Sequence, residues 1–123
     1  MIKLSKISTT PPKGIDKKEL KAATKEMAKE IADLHYLLTA EKKNSLLVVF
    51  QGMDSSGKDG STKAVFGECS PIGLKAHGFK KPTEEELAHD FLWRIHQHTP
   101  AKGEIAIFNR SHYEDILIQK VHG

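Results

Sequence analysis

The residues best able to do chemistry stand between Gly52 and Gly60. Gly52-Met53-Asp54-Ser55-Ser56-Gly57-Lys58 has the G-x-x-x-x-G-K spacing of a phosphate loop, a pattern that carries meaning where a strand precedes it and a helix follows. Gly52 and Gly57 permit backbone angles that turn amide N–H groups inward around phosphate oxygens. A helix behind the loop adds its positive N-terminal end, and Lys58 supplies a movable cation for bridging phosphates. Met53, Ser55 and Ser56 complete the cradle. Ser or Thr ordinarily follows the lysine to hold Mg²⁺, but here Asp59 does, with Gly60 behind it. Asp59 and Asp54 are carboxylates able to take Mg²⁺ directly or through water. Asp54 also stands where an acid could orient an acceptor oxygen, which a kinase needs and a generic nucleotide hydrolase does not.

A second block, Phe108-Asn109-Arg110-Ser111-His112-Tyr113-Glu114-Asp115, ends the apolar run 104–108. Ligands of open α/β sheets sit beyond the C-terminal ends of the strands, so this block is expected to face the phosphate loop. Asn109 occupies the place where a metal-holding acid would follow such a strand, and is a neutral candidate ligand. Arg110 offers a planar fork of donors suited to a transferring phosphoryl group; a salt bridge to a nearby carboxylate is the plainer alternative. Ser111 and Glu114 have the spacing of a helix capping box, which accounts for both without a catalytic role. Asp90 and Arg94 are four apart on an expected helix, the spacing of a simple ion pair. His89 and Trp93, also four apart, are expected to pack. His96 and His98 point to different helix sides, and no Cys–His set has zinc spacing, so no structural metal is expected.

The elements that must hold these residues follow from the hydrophobic pattern. Residues 1–14, with Thr9-Thr10-Pro11-Pro12 and Gly14, read as an extended arm. Asp16 and Glu19 form a capping box with Ile15 and Leu20 as a hydrophobic staple. Leu20, Ala23, Met27, Ile31, Leu34 and Leu38 then recur at three and four, the stripe of an amphipathic helix reaching about Lys43. Leu46–Phe50 is a continuous apolar run and predicts a strand covered on both faces. A helix is expected over Ser61–Glu68 and a strand over Leu74–Phe79. Thr83-Glu84-Glu85-Glu86 opens a further helix with a capping box, and Leu87, Phe91 and Ile95 line its face up to Thr99-Pro100. Glu104–Phe108 predicts another buried strand, and a last helix starts after Ser111. Such alternation means a layered α/β domain.

Composition narrows the class of function. The chain has 123 residues, 38% hydrophobic and 28% charged, which excludes disordered and fibrous classes. No apolar run reaches the length of about 18 residues needed to span a membrane. The single cysteine, Cys69, cannot form an internal disulfide, so a reducing, cytoplasmic setting is expected. Net charge is 19 − 16 = +3, concentrated in lysines of residues 1–45. Those lysines lack the interleaved aromatics of a nucleic-acid surface and read as a solvated helix face. Neither nucleic acid nor membrane is an expected partner.

Gly52 to Gly60, then His89-Asp90-Phe91-Leu92-Trp93-Arg94, then Phe108 to Asp115, together resemble the polyphosphate kinase 2 family in order and spacing, over roughly residues 16–123. The resemblance implies a three-layer, P-loop kinase-like parallel sheet with flanking helices. It implies Mg²⁺-dependent phosphoryl transfer between inorganic polyphosphate and a nucleotide. Asp54 would orient metal and acceptor, Lys58 would hold phosphate, and Arg110 would stabilise the transferring group. The segment carrying Asp90 and Arg94 would lie beside the acceptor nucleotide, so that Arg94 holds an acceptor phosphate, against the ion-pair reading. Some branches carry Asp at the position of Asn109. The form present here is similar to branches acting on nucleoside mono- or diphosphates of adenine or guanine. A P-loop kinase with a nucleoside triphosphate donor, or an inactive phosphate-binding fragment, is the alternative. The family continues with a basic lid and further strands, so residues 15–123 are expected to be the N-terminal portion of such a domain. Beyond Arg110 the only basic residue is Lys120. This chain alone is therefore expected to transfer phosphoryl groups poorly, and its exposed sheet edges predict a homo-oligomer.

Overall fold

The computed structural model describes residues 14–122 together with residues 3, 7, 8 and 10, and for 118–120 and 122 the backbone only. Most of the expected arm, 1–14, lies outside the described residues. The elements are α1 (Lys17–Glu41), β1 (Leu46–Phe50), α2 (Lys58–Phe66), β2 (Leu74–Gly78), α3 (Glu84–Leu87), α4 (Trp93–His96), β3 (Ile105–Asn109) and α5 (His112–His122). The strands form one parallel sheet in the order β1-β3-β2. The last strand in the chain is thus the central one.

β3 is the axis of the packing, because alternate side chains of a strand face opposite layers. Ile105 and Ile107 pack with Phe66 of α2, Ile31 and Leu38 of α1, and Val48 and Phe50 of β1. Ala106 and Phe108 face the other way, onto Phe79 and Ile95 of α4. Helices therefore lie on both faces, and the three-layer α/β expectation holds. β3 is buried along almost its whole length, as a near-continuous apolar run in a parallel sheet should be.

Three expectations need correction. β1 lies at an edge of the described sheet, and Leu46, Leu47 and Val49 are exposed, so its apolar run is not covered on both faces. In α1 the buried residues are Ala28 and His35, with Ile31 and Leu38 beside them; Leu20, Met27 and Leu34 face solvent. The buried face is offset from the hydrophobic stripe, with Ile31 and Leu38 on the core and His35 beside the Gly73 turn. The single helix expected from Thr83 to Thr99 is two short ones. Asp90 Oδ1 accepts from the Leu92 amide at 2.9 Å, a local side-chain bond that competes with helix continuation. Leu87 and Phe91 are consequently exposed and only Ile95 reaches the core.

Local signals elsewhere hold well. Thr83 and Glu86 form the expected capping box, whereas Asp16 caps α1 through the Lys18 amide at 2.6 Å without the reciprocal bond from Glu19, so the box expected there is not formed. The turn before β2 packs tightly on α1. Gly73 has φ +79°, and a Cβ there would lie 2.8 Å from Thr39 Oγ1, so glycine is required on both counts.

Ile107, 1% exposed, is the most buried side chain between the sheet and the α1–α2 layer. Ile107→Ala is expected to lower stability by about 2–5 kcal/mol. Leu34→Ala, on the exposed stripe of α1, should change it by less than about 0.5 kcal/mol. Urea unfolding followed by circular dichroism checks the contrast.

Candidate phosphate site

The parallel register places Phe50, Asn109 and Gly78 side by side at one end of the sheet. Three chain segments therefore leave the sheet at the same level: Gln51–Gly57 after β1, Arg110–Ser111 after β3, and Phe79–Lys80 after β2. Their convergence encloses a cavity of about 500 Å³, lined by Asp54 to Gly60 on one side and by Asn109, Arg110, Phe79 and Lys80 on the other. The expectation that both motifs face one another at the strand ends is met.

The loop owes its shape to local backbone. Ser55 and Gly57 have positive φ, +62° and +91°, and the Ser56 amide closes onto the Met53 carbonyl at 3.2 Å. Gly57 stands at the head of α2 with no side-chain cap, which leaves first-turn amides available to an anion. α2 begins at Lys58, three residues earlier than the expected Ser61, because this left-handed glycine starts the helix directly. Lys58 Nζ donates to the carbonyls of Gly52 at 2.7 Å and Met53 at 2.8 Å. The lysine thus lies along the loop it serves.

Charges across the cavity are paired with one another. Arg110 Nη2 contacts Asp54 Oδ1, and Asn109 Nδ2 donates to Asp59 Oδ1. Of the three candidate metal ligands, Asp54 and Asp59 line one side and Asn109 the other, and each acid is bridged across the cavity. Both readings of Arg110 apply to its geometry, since it forms a salt bridge and lines the cavity. Its backbone has φ +67°, and its amide donates to the Phe50 carbonyl at 2.9 Å, which ties the end of β3 to the end of β1.

A second cavity of about 570 Å³ adjoins the first and shares Phe79, Lys80 and Arg110 with it. Its walls add Lys81, Pro82, Leu87 and Phe91, an apolar patch beside two lysines. Arg94 lines it but is 6% exposed. Arg94 donates to the Lys80 carbonyl at 2.7 Å, stands 3.5 Å from Glu86, and lies 5.1 Å above the Phe79 ring. Its Nε and Nη1 have no hydrogen-bond partner among the described residues. The ion pair expected with Asp90 does not form, because the helix break separates the two. Asp90 is not among the residues lining these two cavities. Burial pushes the Asp115 carboxyl, also on this wall, above its ordinary value.

The sequence reading did not single out Phe79, Lys80 or the ring stack beneath them. His77 and His98 stack with centroids 3.5 Å apart, and both meet Phe79 edge-on. This stack fastens the α4 segment to β2. His89 and Trp93 stack as expected, at 4.2 Å. Ser111 Oγ accepts from the Tyr113 amide at 3.3 Å and Glu114 turns away to Gln51, so the capping box expected at α5 does not form.

A strand–loop–helix phosphate cradle at the C-terminal edge of a parallel sheet defines a P-loop protein. The family profile described as Polyphosphate kinase 2 matches residues 14–123, and the chain belongs to that family. It is 50% identical over 93 residues to an AMP/ADP-polyphosphate phosphotransferase of Meiothermus ruber, covering 76% of this chain and 35% of that protein. It is 35% identical over 77 residues to a GDP-polyphosphate phosphotransferase of Mycolicibacterium smegmatis, covering 63% and 27%. The crystal structure of polyphosphate kinase 2 from Arthrobacter aurescens superposes with a TM-score of 0.82 at 39% identity, over 99% of this chain and 45% of that one. The chain thus spans between about a quarter and a half of these proteins' length. No helix among the described residues is long and apolar enough to cross a membrane.

The stack carries a pH prediction. Burial, then His98, then Arg94 hold His77 below its ordinary value of 6.5, and Glu86 opposes them. The folded protein therefore favours neutral His77, while the unfolded chain takes up a proton near the ordinary value. Stability from this group is present above that pH and lost as pH falls below it. The melting temperature is expected to drop between pH 7 and 5, and His77→Phe should flatten that slope in thermal melts across the range.

Proposed function

We propose that the protein is a polyphosphate:nucleotide phosphotransferase, moving a phosphoryl group between inorganic polyphosphate and a nucleoside mono- or diphosphate of adenine or guanine. The observation that carries the reading is the position of Arg110 on the shared wall of two adjoining cavities. Transfer between two bound substrates needs two sites with one cation at their boundary, because charge builds on the group in passage. The names of the relatives support the substrate classes. We place the protein in the cytoplasm as a homo-oligomer, a state supported by the exposed apolar edge of β1.

In this reading the loop amides and Lys58 hold polyphosphate, Lys58 exchanging the Gly52 and Met53 carbonyls for phosphate oxygens. The second cavity takes the acceptor, its base against Leu87 and Phe91 and its phosphates toward Lys80, Lys81 and Arg94. An oxygen of the acceptor's terminal phosphate attacks the end phosphorus of polyphosphate. The bond to the next phosphate breaks, and the chain leaves one unit shorter. Arg110 stabilises the charge in passage and Asp54 orients the acceptor oxygen. No covalent intermediate is required.

Mg²⁺ fits the first cavity. It ordinarily takes one or two carboxylates and completes its shell with water and substrate phosphates, and Asp54 and Asp59 would provide two, with Asn109 hydrogen-bonded to Asp59. Bound there, it supplies charge neutralisation between phosphates.

Transfer is measured by coupling the purified protein, polyphosphate, Mg²⁺ and AMP, ADP or GDP to nucleotide detection. Polyphosphate-dependent product is expected, slowly from these 123 residues alone, and in a protein extended to its relatives' length Lys58→Ala and Arg110→Ala should each lower the rate about 100- to 1,000-fold with circular dichroism unchanged. Transfer from a nucleoside triphosphate and not from polyphosphate would replace this reading with that of another P-loop kinase.

A further inference from the structure

Glu114 has the spacing of a cap and does not act as one. Its Oε2 accepts from the side-chain amide of Gln51, and its Oε1 lies 3.9 Å from Arg110 Nη1. The opposite edge of the same guanidinium, Nη2, meets Asp54. Arg110 is thus gripped between two carboxylates from different elements, the loop after β1 and the first turn of α5. Gln51 leaves the end of β1 and Arg110 the end of β3, so the Gln51–Glu114–Arg110 chain runs across the strand ends.

The two carboxylates are held very differently. The Asp54 side chain is 84% exposed, whereas that of Glu114 is 29% exposed and anchored by Gln51. A phosphoryl group, with more charge and more acceptor oxygens, displaces a lone exposed carboxylate from Nη2. A guanidinium has five donors and serves two acceptors at once, so the Glu114 contact can persist through that exchange. The Arg110 backbone is already fixed by its bond to the Phe50 carbonyl. Only the far end of the side chain needs aiming.

We propose that Glu114, anchored by Gln51, is a positioning residue for Arg110, holding one edge of its guanidinium while the other passes from Asp54 to a phosphoryl group. The proposal rests on the reading of the site as a phosphoryl-transfer centre. It makes a prediction opposite in sign to simple electrostatics. An acid beside an anion site repels the anion, so a bystander Glu114 would improve binding when neutralised.

The test is calorimetric titration of the full chain with pyrophosphate at low ionic strength, for wild type, Gln51→Leu, Glu114→Gln and Arg110→Ala, and for the first two changes combined with Arg110→Ala. Gln51→Leu removes the anchor and leaves every charge in place. Both single changes are expected to weaken binding about 5- to 10-fold, the scale of coupling between contacting residues, and neither should weaken it further once Arg110 is alanine. Tighter binding by Glu114→Gln overturns the proposal, as does an equal loss with and without Arg110; either result leaves the phosphate site standing. Failure of the wild-type chain to bind pyrophosphate overturns the phosphate-site reading and the positioning role with it.

Discussion

Everything at the candidate site depends on β3 being hydrogen-bonded in parallel on both sides. Pairing Ile105 with both Leu46 and Leu74 sets Asn109 level with Phe50 and Gly78. A slip of one residue would turn Ile105 and Ile107 from the α1–α2 side to the α4 side and exchange them with Ala106 and Phe108. The two helical layers accept different shapes, with Phe66 closing on two isoleucines and Phe79 closing on Phe108 and Ala106. Core packing thus fixes the register, and the register decides which polar residues meet beyond the strand ends.

Those polar residues satisfy one another before any ligand arrives. Lys58 lies on two loop carbonyls, Arg110 on Asp54 and Glu114, Asp59 on Asn109. Each contact is exposed or half-exposed, and exposed ion pairs contribute little to stability. The cost of exchanging them for phosphate oxygens is correspondingly small. Arg94 presents the other case. It is buried against Phe79, and its ion pair with Glu86 and its bond to the Lys80 carbonyl compensate part of the cost of burying a charge.

The phosphate loop, Asp16, the Thr83–Glu86 box and the strand ends were legible because each depends on residues close together in the chain. The buried face of α1 was not. Hydropathy points to Leu20, Met27 and Leu34, while the buried face carries Ala28 and His35 beside Ile31 and Leu38, with His35 against the turn at Gly73. The break after α3 was hidden for a similar reason, since the period of Leu87, Phe91 and Ile95 continues through it and only Asp90 signals the interruption. Glu114 was misread because a complete local explanation, the capping box, was available. Its actual partners, Gln51 and Arg110, come together through the sheet. Lys80 and Phe79 carried no motif at all, and only the crossing from β2 to the shared wall reveals them.

The exposed edge of β1 and the double pairing of β3 also divide the site by resistance to opening. Amides of β3 are bonded into a ladder buried on both faces and should exchange with solvent among the slowest in the chain. The turn bearing Asp54 and Ser55 has few buried contacts and should exchange fast. Arg110 therefore rises from rigid ground while the wall opposite it breathes. Local opening of the loop alone would widen the cavity, with the strand-end cation kept in place throughout.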